Sequence, residues 1–546
     1  MIANSRRNHR QRGNTMVLFA LMLPTLICPL VGLAIDGTVT YAVQAKLSAA
    51  VDGAALGAGR LLGTQADPSE IAGEFLAANF QTGVKGFWGA NNLIKTITYT
   101  PGTTKTIKVD ARVDVPLLFL RVIGKTKATV SAAATATRRD SRMVFVIDRS
   151  GSMNQTQTDG NTAIVDLKSY AQGFTQKFTP GTDEVGLVVF DGASVVGYPT
   201  TRPWDSTTTS TSTGGPDTSF LSQGGTSCCD MVWQIKAINA GGATGMADAL
   251  SVAYIELQKA HLRDLAANGV DTRMNSIVLF TDGIPTSLTM DLNNSGWNDI
   301  ASSSTCSNKS KWPSPKMMGW MAVAGNPPFG NTTLPDTTYW PRLLPTTDPS
   351  SSHTANWYMG NGASDATYPN PTTPFSGCSG LPGSSSGNSS SALADITGIP
   401  TNDAYGNAIN ITKYTDSEIL DSSGNVVSPN PLYNGTALDL TKKTSSYHWG
   451  LAIWNAVYSA ANNIRNDSNL ANRTGDTQNM SVAIYTIGYL GNGGVDRGLL
   501  RDVANDKSAP SYNSAQASGM FVSAADPTGL ADAFNVVASA ILRLAY

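Results

Sequence analysis

Histidine and charge are both scarce in this chain of 546 residues. The four histidines, His9, His261, His353 and His448, are scattered and form no H-x-x-x-H pair, so neither a zinc site nor Ser-His catalysis has a visible constellation. Lys and Arg total 38 against 40 Asp and Glu, a formal net charge of -2, with no basic stripe and no acidic block. The electrostatic footprint of nucleic-acid binding is missing, and no nucleic acid is expected as a partner. There is no P-loop, and the glycine-rich GYLGNGGVDRG (Gly488 to Gly498) lacks G-x-G-x-x-G and reads as a loop after a late strand. GSSSG (Gly383 to Gly387) has the spacing of a hydrolase nucleophile elbow, but it lacks the strand before it and the helix after it that the elbow requires. These absences argue against an enzyme.

Hydrophobic residues make up 41% of the chain and charged residues 14%, so cores can form while the surface rests on Ser, Thr, Asn and Gly. That balance is unusual for a cytoplasmic protein, and the length leaves room for about three domains. Arg6, Arg7, Arg10 and Arg12 precede MVLFALMLPTLICPLVGLAI (Met16 to Ile35), about 20 uncharged residues, the length that crosses a bilayer. Basic residues on the amino side predict a cytoplasmic start and an extracytoplasmic bulk, a single-pass inner-membrane protein. A cleaved signal peptide is the rival reading. Against it, a helical pattern continues past Asp36, with Tyr41, Val43, Leu47, Ala50, Val51, Ala54, Ala55 and Leu56 favouring one face. Residues 1–63 thus read as a basic tail, a transmembrane helix and its helical extension.

Residues 64–140 read as a small α+β extracytoplasmic module. SEIAGEFLAANF (Ser69 to Phe80) is a predicted helix with its Ser as cap, and TKTIKVDARVDV (Thr104 to Val115) and ATVSAAATATRR (Ala128 to Arg139) alternate like strands of a small antiparallel sheet. From Ser141 the pattern becomes strand, helix, strand, helix. Apolar strands are expected at Glu184 to Phe190, Asn275 to Gly283, Met480 to Leu490 and Gly519 to Ala524, and helices at Asn161 to Phe178, Met246 to Ala260, Arg497 to Asn505 and Gly529 to Leu544. The fold class is α/β, a doubly wound, mostly parallel sheet over 141–546 with a long insertion at 287–444.

MVFVIDRSGSM (Met143 to Met153) is an apolar run that ends in an aspartate and two serines one residue apart. A buried strand opening into this loop puts Asp148, Ser150 and Ser152 at the carboxyl edge of the sheet, where open α/β folds hold ligands. One carboxylate and two hydroxyls offer only oxygen, which suits a hard divalent cation; a turn rich in Asp, Ser and Gly is the plainer alternative. GGATGMADAL places Thr244 just before a helix, and IVLFTDG places Asp282 at the end of another buried strand. Both can reach the edge that carries Asp148. Asp248 lies nearby and is expected to face solvent from its helix.

Two resemblances attach to these motifs. Arg12 to Gly59, with Gly13 before an apolar helix, Pro24 within it, Asp36 at its outer end and LSAAVDGAALGAG beyond, resembles the N-terminal segment of TadG-like proteins of Flp (Tad) pilus assembly. D-x-S-x-S at Asp148, Ser150 and Ser152, followed by Thr244 and Asp282, resembles the metal-ion-dependent adhesion site (MIDAS) of von Willebrand factor A domains, over Arg142 to about Thr286 and again from roughly Ser445 to Leu544. The resemblance implies that Ser150 and Ser152 hold the metal directly, and that Thr244, Asp148 and Asp282 hold it directly or through water. Mg²⁺ is the implied ion, with Mn²⁺ or Ca²⁺ as alternatives, and an acidic side chain of a protein partner completes its shell. An occupied site that only orders its loops is the competing reading.

The function implied is non-enzymatic: pilus assembly, anchoring or surface adhesion by a membrane-anchored protein, with other Tad components as partners. The alternatives are a minor pilin subunit and a glycan-binding or enzymatic module in the insertion. That insertion carries Trp297, Trp312, Trp320, Trp340 and Trp357, whereas disordered segments are poor in aromatics. Cys228, Cys229, Cys306 and Cys378 allow three connectivities; a Cys306–Cys378 pair is the expectation.

Overall fold

The computed structural model describes residues 16, 20, 22, 28–291, 317–322, 342–343, 356–357 and 398–544, except for 60, 63–66, 83–85, 103, 192–193, 200–209, 212–214, 223, 226–229, 242–243, 404, 443–444, 467–477 and 492. The expected Cys306–Cys378 pair, Cys228, Cys229, the GSSSG stretch, and Trp297, Trp312 and Trp340 lie outside the described residues. The described chain divides into two compact units between Arg139 and Asp140.

In the first unit, helix α1 (Cys28–Gly59) and helix α2 (Pro68–Asn79) cover one face of an antiparallel sheet, β1 (Asn91–Thr100), β2 (Thr104–Pro116) and β3 (Lys127–Arg139), in that order. Val43, Leu47, Ala50, Val51, Ala54 and Ala58 recur at helical spacing and are buried, and the alanines let the sheet approach closely. Ile107, Val109, Ala111, Val113 and Val115 alternate along β2 to meet them. Tyr41 and Leu56, expected on the buried face of the helix, are exposed instead. The cap of α2 is Asp67 rather than Ser69: its carboxylate accepts the Ser69 amide at 2.8 Å, and Pro68 takes the first helical position, where no amide donor is required.

Asp36 is buried within this unit. Its carboxylate accepts the backbone amides of Leu118, Phe119 and Leu120 at 2.9, 3.0 and 2.8 Å, fixing the β2–β3 loop against α1. Among the described residues no helix is long and apolar enough to cross a membrane, and residues 17–19, 21 and 23–27 of the expected span lie outside them.

The second unit is built on a six-stranded sheet. Its strands are β4 (Ser141–Asp148), β5 (Glu184–Phe190), β6 (Ser194–Tyr198), β7 (Met274–Thr281), β10 (Val482–Tyr489) and β11 (Phe521–Ala524), in the spatial order β11-β10-β7-β4-β5-β6. All neighbours are parallel except β5 and β6. Every residue of β4 is buried, so both faces of the centre are covered, which is why its middle, Met143 to Ile147, is a continuous apolar run. Helices α3 (Ala163–Thr175) and α8 (Pro527–Leu544) meet β4 and β7 through aromatic rings: Phe145 lies 5.1 Å from Phe174 and 5.7 Å from Phe534, and Phe280 stacks on Phe534 at 6.1 Å. Helices α5 (Met246–Asn268) and α6 (Ser446–Arg465) pack on each other and on the sheet. Helix α5 runs two turns beyond Ala260 and stops where Gly269 adopts φ +70°.

The register sets the site. Asp148 lies opposite Phe190, and Ile147 opposite Phe280, so the ends of β4, β5 and β7 form one edge. The other end of β4 is held by Arg142, fully buried, whose guanidinium reaches Glu184, Asp264 and Asp271 at 2.6 Å each. Beyond β7, β8 (Ser287–Asp291) pairs antiparallel with β9 (Met317–Ala322), placing Trp320 opposite Thr289. Residues 398–442 return Ile399, Ile409, Tyr414, Ile419, Leu420 and Leu432 to the core that also holds Trp449 and Trp454 of α6.

Candidate functional site

Asp148 closes β4 with no exposed surface, and the chain then turns through a short helical turn, Gly151–Asn154, that brings the loop back over the sheet edge. The Ser150 amide donates to Asp148 Oδ1 at 2.7 Å. Ser150 Oγ and Ser152 Oγ are 2.9 Å apart, and Ser152 Oγ donates to Asp282 Oδ1 at 2.6 Å. The Asp-Ser-Ser loop and the end of β7 are therefore joined by a short chain of oxygens.

Thr244 reaches the same edge through its backbone. Its amide donates to Thr286 Oγ1 at 2.9 Å, and its carbonyl accepts the amides of Thr286 at 2.8 Å and Ser287 at 3.2 Å. The next residue, Gly245, donates its amide to the Asp191 carbonyl at 2.6 Å, tying this loop to the end of β5. All five residues singled out in the sequence thus lie on loops of one sheet edge.

Two groups escaped the sequence reading. Thr281 Oγ1 donates to Asp148 Oδ2 at 2.6 Å, orienting that carboxylate from the neighbouring strand. The only signal was a hydroxyl directly before Asp282 in a run otherwise apolar. Arg149 binds Asp191 through Nε at 3.0 Å and Nη2 at 2.8 Å, so its charge is directed to that carboxylate. Asp248, expected to face solvent, is buried instead, because Asp403 and Asn407 pack on the start of α5, where Asn407 Nδ2 donates to Ser251 Oγ at 3.2 Å.

The electrostatics of the edge are unfavourable to two bare carboxylates. Burial pushes Asp148 up to about 6, against the hydrogen bonds from Thr281 and Ser150. Burial, together with the charge of Asp148, pushes Asp282 up to about 8. Two carboxylates and neighbouring hydroxyls, converging where negative charge is costly, form a donor set that a hard divalent cation would stabilise. The donors that converge are all oxygens, two carboxylates and two serine hydroxyls, and among the described residues no group of three or more His, Cys, Asp and Glu could hold a metal ion. The two described histidines are engaged elsewhere. His261 Nδ1 lies 2.7 Å from Asp271, beside Arg142 at the far end of β4, and His448 Nδ1 accepts the Asp439 amide at 3.0 Å.

A family model of the von Willebrand factor type A domain matches residues 143–284, and one described as putative Flp pilus-assembly TadE/G-like matches residues 13–61. The first match spans all five residues at the edge. Among solved structures, the PilB minor pilin from Streptococcus sanguinis is similar at 12% identity and TM-score 0.33, over 85% of this chain and 81% of that one. The vWF domain of the type V pili tip protein Mfa5 from Porphyromonas gingivalis is similar at 16% identity and TM-score 0.31, over 75% of this chain and 98% of that one. The pilus adhesin SpaC from Lactobacillus rhamnosus GG, in its open conformation, is similar at 10% identity and TM-score 0.31, over 85% and 36%. No curated protein matches the sequence.

Proposed function

We propose that this chain, which joins a TadE/G-like N-terminal segment to a von Willebrand A domain, is a non-enzymatic binding component of a Flp (Tad) pilus system. In this reading the stretch Met16–Ile35 anchors it in the inner membrane, and the Asp148 edge holds a protein partner outside through a divalent cation. One observation carries the reading: two buried carboxylates, Asp148 and Asp282, are linked through Ser150 and Ser152 at the carboxyl edge of a parallel sheet. Asp148, Ser150, Ser152, Thr244 and Asp282 would hold Mg²⁺, or Mn²⁺ or Ca²⁺ in its place. The ion would supply an open coordination position for a partner's carboxylate.

The test is Mg²⁺ titration of the full chain by calorimetry, comparing wild type with Asp148→Ala. Asp148 ends a strand, so its truncation opens no apolar cavity, and the fold should persist by circular dichroism while Mg²⁺ binding is lost. Equal affinity in both proteins would sink the metal reading. Capture of other pilus components that survives a chelator would sink the ion's role in partner binding.

A further inference from the structure

The first unit carries a rigid apolar patch that its own core does not use. The loop between β2 and β3 presents Leu118 at 63% and Val122 at 87% exposure, with Phe119 beside them. At the same end of the sheet, Gly89 backs onto Pro116, and the residue before it, Trp88, is 59% exposed in a left-handed conformation at φ +54°. A non-glycine residue held there costs conformational energy, yet the result is an outward-facing indole. The loop is fixed in place by Asp36, which binds three of its amides, and by Gly32, where any Cβ would collide with Phe119.

Asp36 also marks where the exposed side of α1 changes from apolar to mixed, since the exposed Tyr41 and Leu56 beyond it stand among polar residues. Leu33 and Ile35 are exposed just before it, whereas Thr38, Gln44 and Lys46 occupy exposed positions after it. Two chain segments, the helix and the loop pinned to it, therefore present apolar side chains at one level. Arg121 and Lys125 are exposed in the same loop, and Leu117–Thr126 contains no acidic residue. Apolar side chains and an aromatic at one level match a lipid headgroup layer, where indoles concentrate on both sides of a membrane, and long basic side chains beside them can lay their stems on the interface with the charge in water. Exposed apolar patches of this kind mark interaction surfaces.

We infer that the β2–β3 loop and Trp88 rest in the headgroup layer of the bilayer beside the N-terminal helix, seating the first unit directly on the membrane. The inference rests on the reading that Met16–Ile35 anchors the chain. It adds a second, fixed contact that constrains the unit's tilt.

The test places a benzophenone amino acid singly at Val31, Trp88, Thr98 or Val122 of the full chain. Each protein is reconstituted in vesicles of phosphatidylethanolamine and phosphatidylglycerol and irradiated. Positions 88 and 122 should form lipid adducts within several-fold of position 31, and position 98, exposed near the carboxyl end of β1, should fall at least tenfold lower. Lipid adducts at 31 with none at 88 and 122, or with chain-to-chain adducts there instead, would overturn the inference and leave the anchor standing. Absence of lipid adducts at 31 would overturn the anchor, and the inference with it.

Discussion

Replacing Arg142 by Met should destabilise the second unit without touching the candidate site. The guanidinium is wholly buried and pairs with Glu184, Asp264 and Asp271 at 2.6 Å each, with Asn275 accepting a further bond at 3.1 Å. Removing one partner from a buried pair costs about 3–5 kcal/mol, mostly because the other charge is left desolvated. Here each carboxylate keeps a second basic neighbour: Glu184 keeps Arg263 at 2.6 Å, Asp264 keeps Arg273 at 3.1 Å and Asp271 keeps His261 at 2.7 Å. That places the expected loss near the lower bound, about 3 kcal/mol, or about 1 M in urea midpoint if the slope is about 3 kcal/mol/M. Tryptophan emission reports the transition, since Trp449 and Trp454 are buried in this unit. A pH series sharpens the test. Burial acts to raise Asp271, but the hydrogen bond from His261 and the charge of Arg142 outweigh it and hold the group down at about 2. Because the folded value is depressed, this contribution is present above the unfolded value near 4 and lost as pH falls through about 2. The variant should show a weaker loss of stability across that window. Mg²⁺ affinity should not change, because Arg142 and Asp148 stand about 20 Å apart along the strand. An unchanged urea midpoint would refute the assignment of this cluster as a determinant of stability.

Three further outcomes follow from the contacts. Thr281→Val removes the hydroxyl that orients Asp148 and should weaken Mg²⁺ binding by about tenfold, while Thr281→Ser restores it; equal loss in both by calorimetry would show that the hydroxyl plays no part. Asp36→Ala frees three amides and should speed tryptic cleavage at Arg121 and Lys125 several-fold, and an unchanged rate would mean the loop is held by packing alone. Thr286→Val removes the acceptor of the Thr244 amide and should raise hydrogen exchange at that amide by about tenfold, the equivalent of one net hydrogen bond; unaltered exchange would mean the clamp contributes nothing.

The strands of the A domain were readable because each is a short apolar run bounded by polar residues, and the parallel centre buries both faces of such runs. The edge residues were readable for a related reason: Asp148 and Asp282 each end one of those runs. What stayed hidden depends on contacts distant in sequence. Arg142 looks like an ordinary strand-flanking charge, and its three carboxylates lie 42, 122 and 129 residues away. Strand β1, NNLIKTITYT, lies at the rim of its sheet with mostly exposed residues, so it lacks the strict alternation that betrays a half-buried strand. The cap of α2 was missed because Asp67 and Ser69 are both good caps, and only Pro68 between them settles which residue starts the helix. Residues 398–442 hide their core contribution in a polar composition, with Ile399, Ile409 and Leu432 too widely spaced to form a strand or helix pattern.

The clamp between Thr244 and Thr286 has a mechanical meaning. Thr286 is the last residue before β8, the strand through which the chain leaves for its long excursion, and both its amide and its hydroxyl are tied to Thr244. A displacement of β8 is shared between the covalent path through Thr286 and Asp282 to β7 and the hydrogen bonds to the loop that carries Thr244. Under the proposed function, tension on a partner held at the Asp148 edge would therefore reach Thr244 and β8 together.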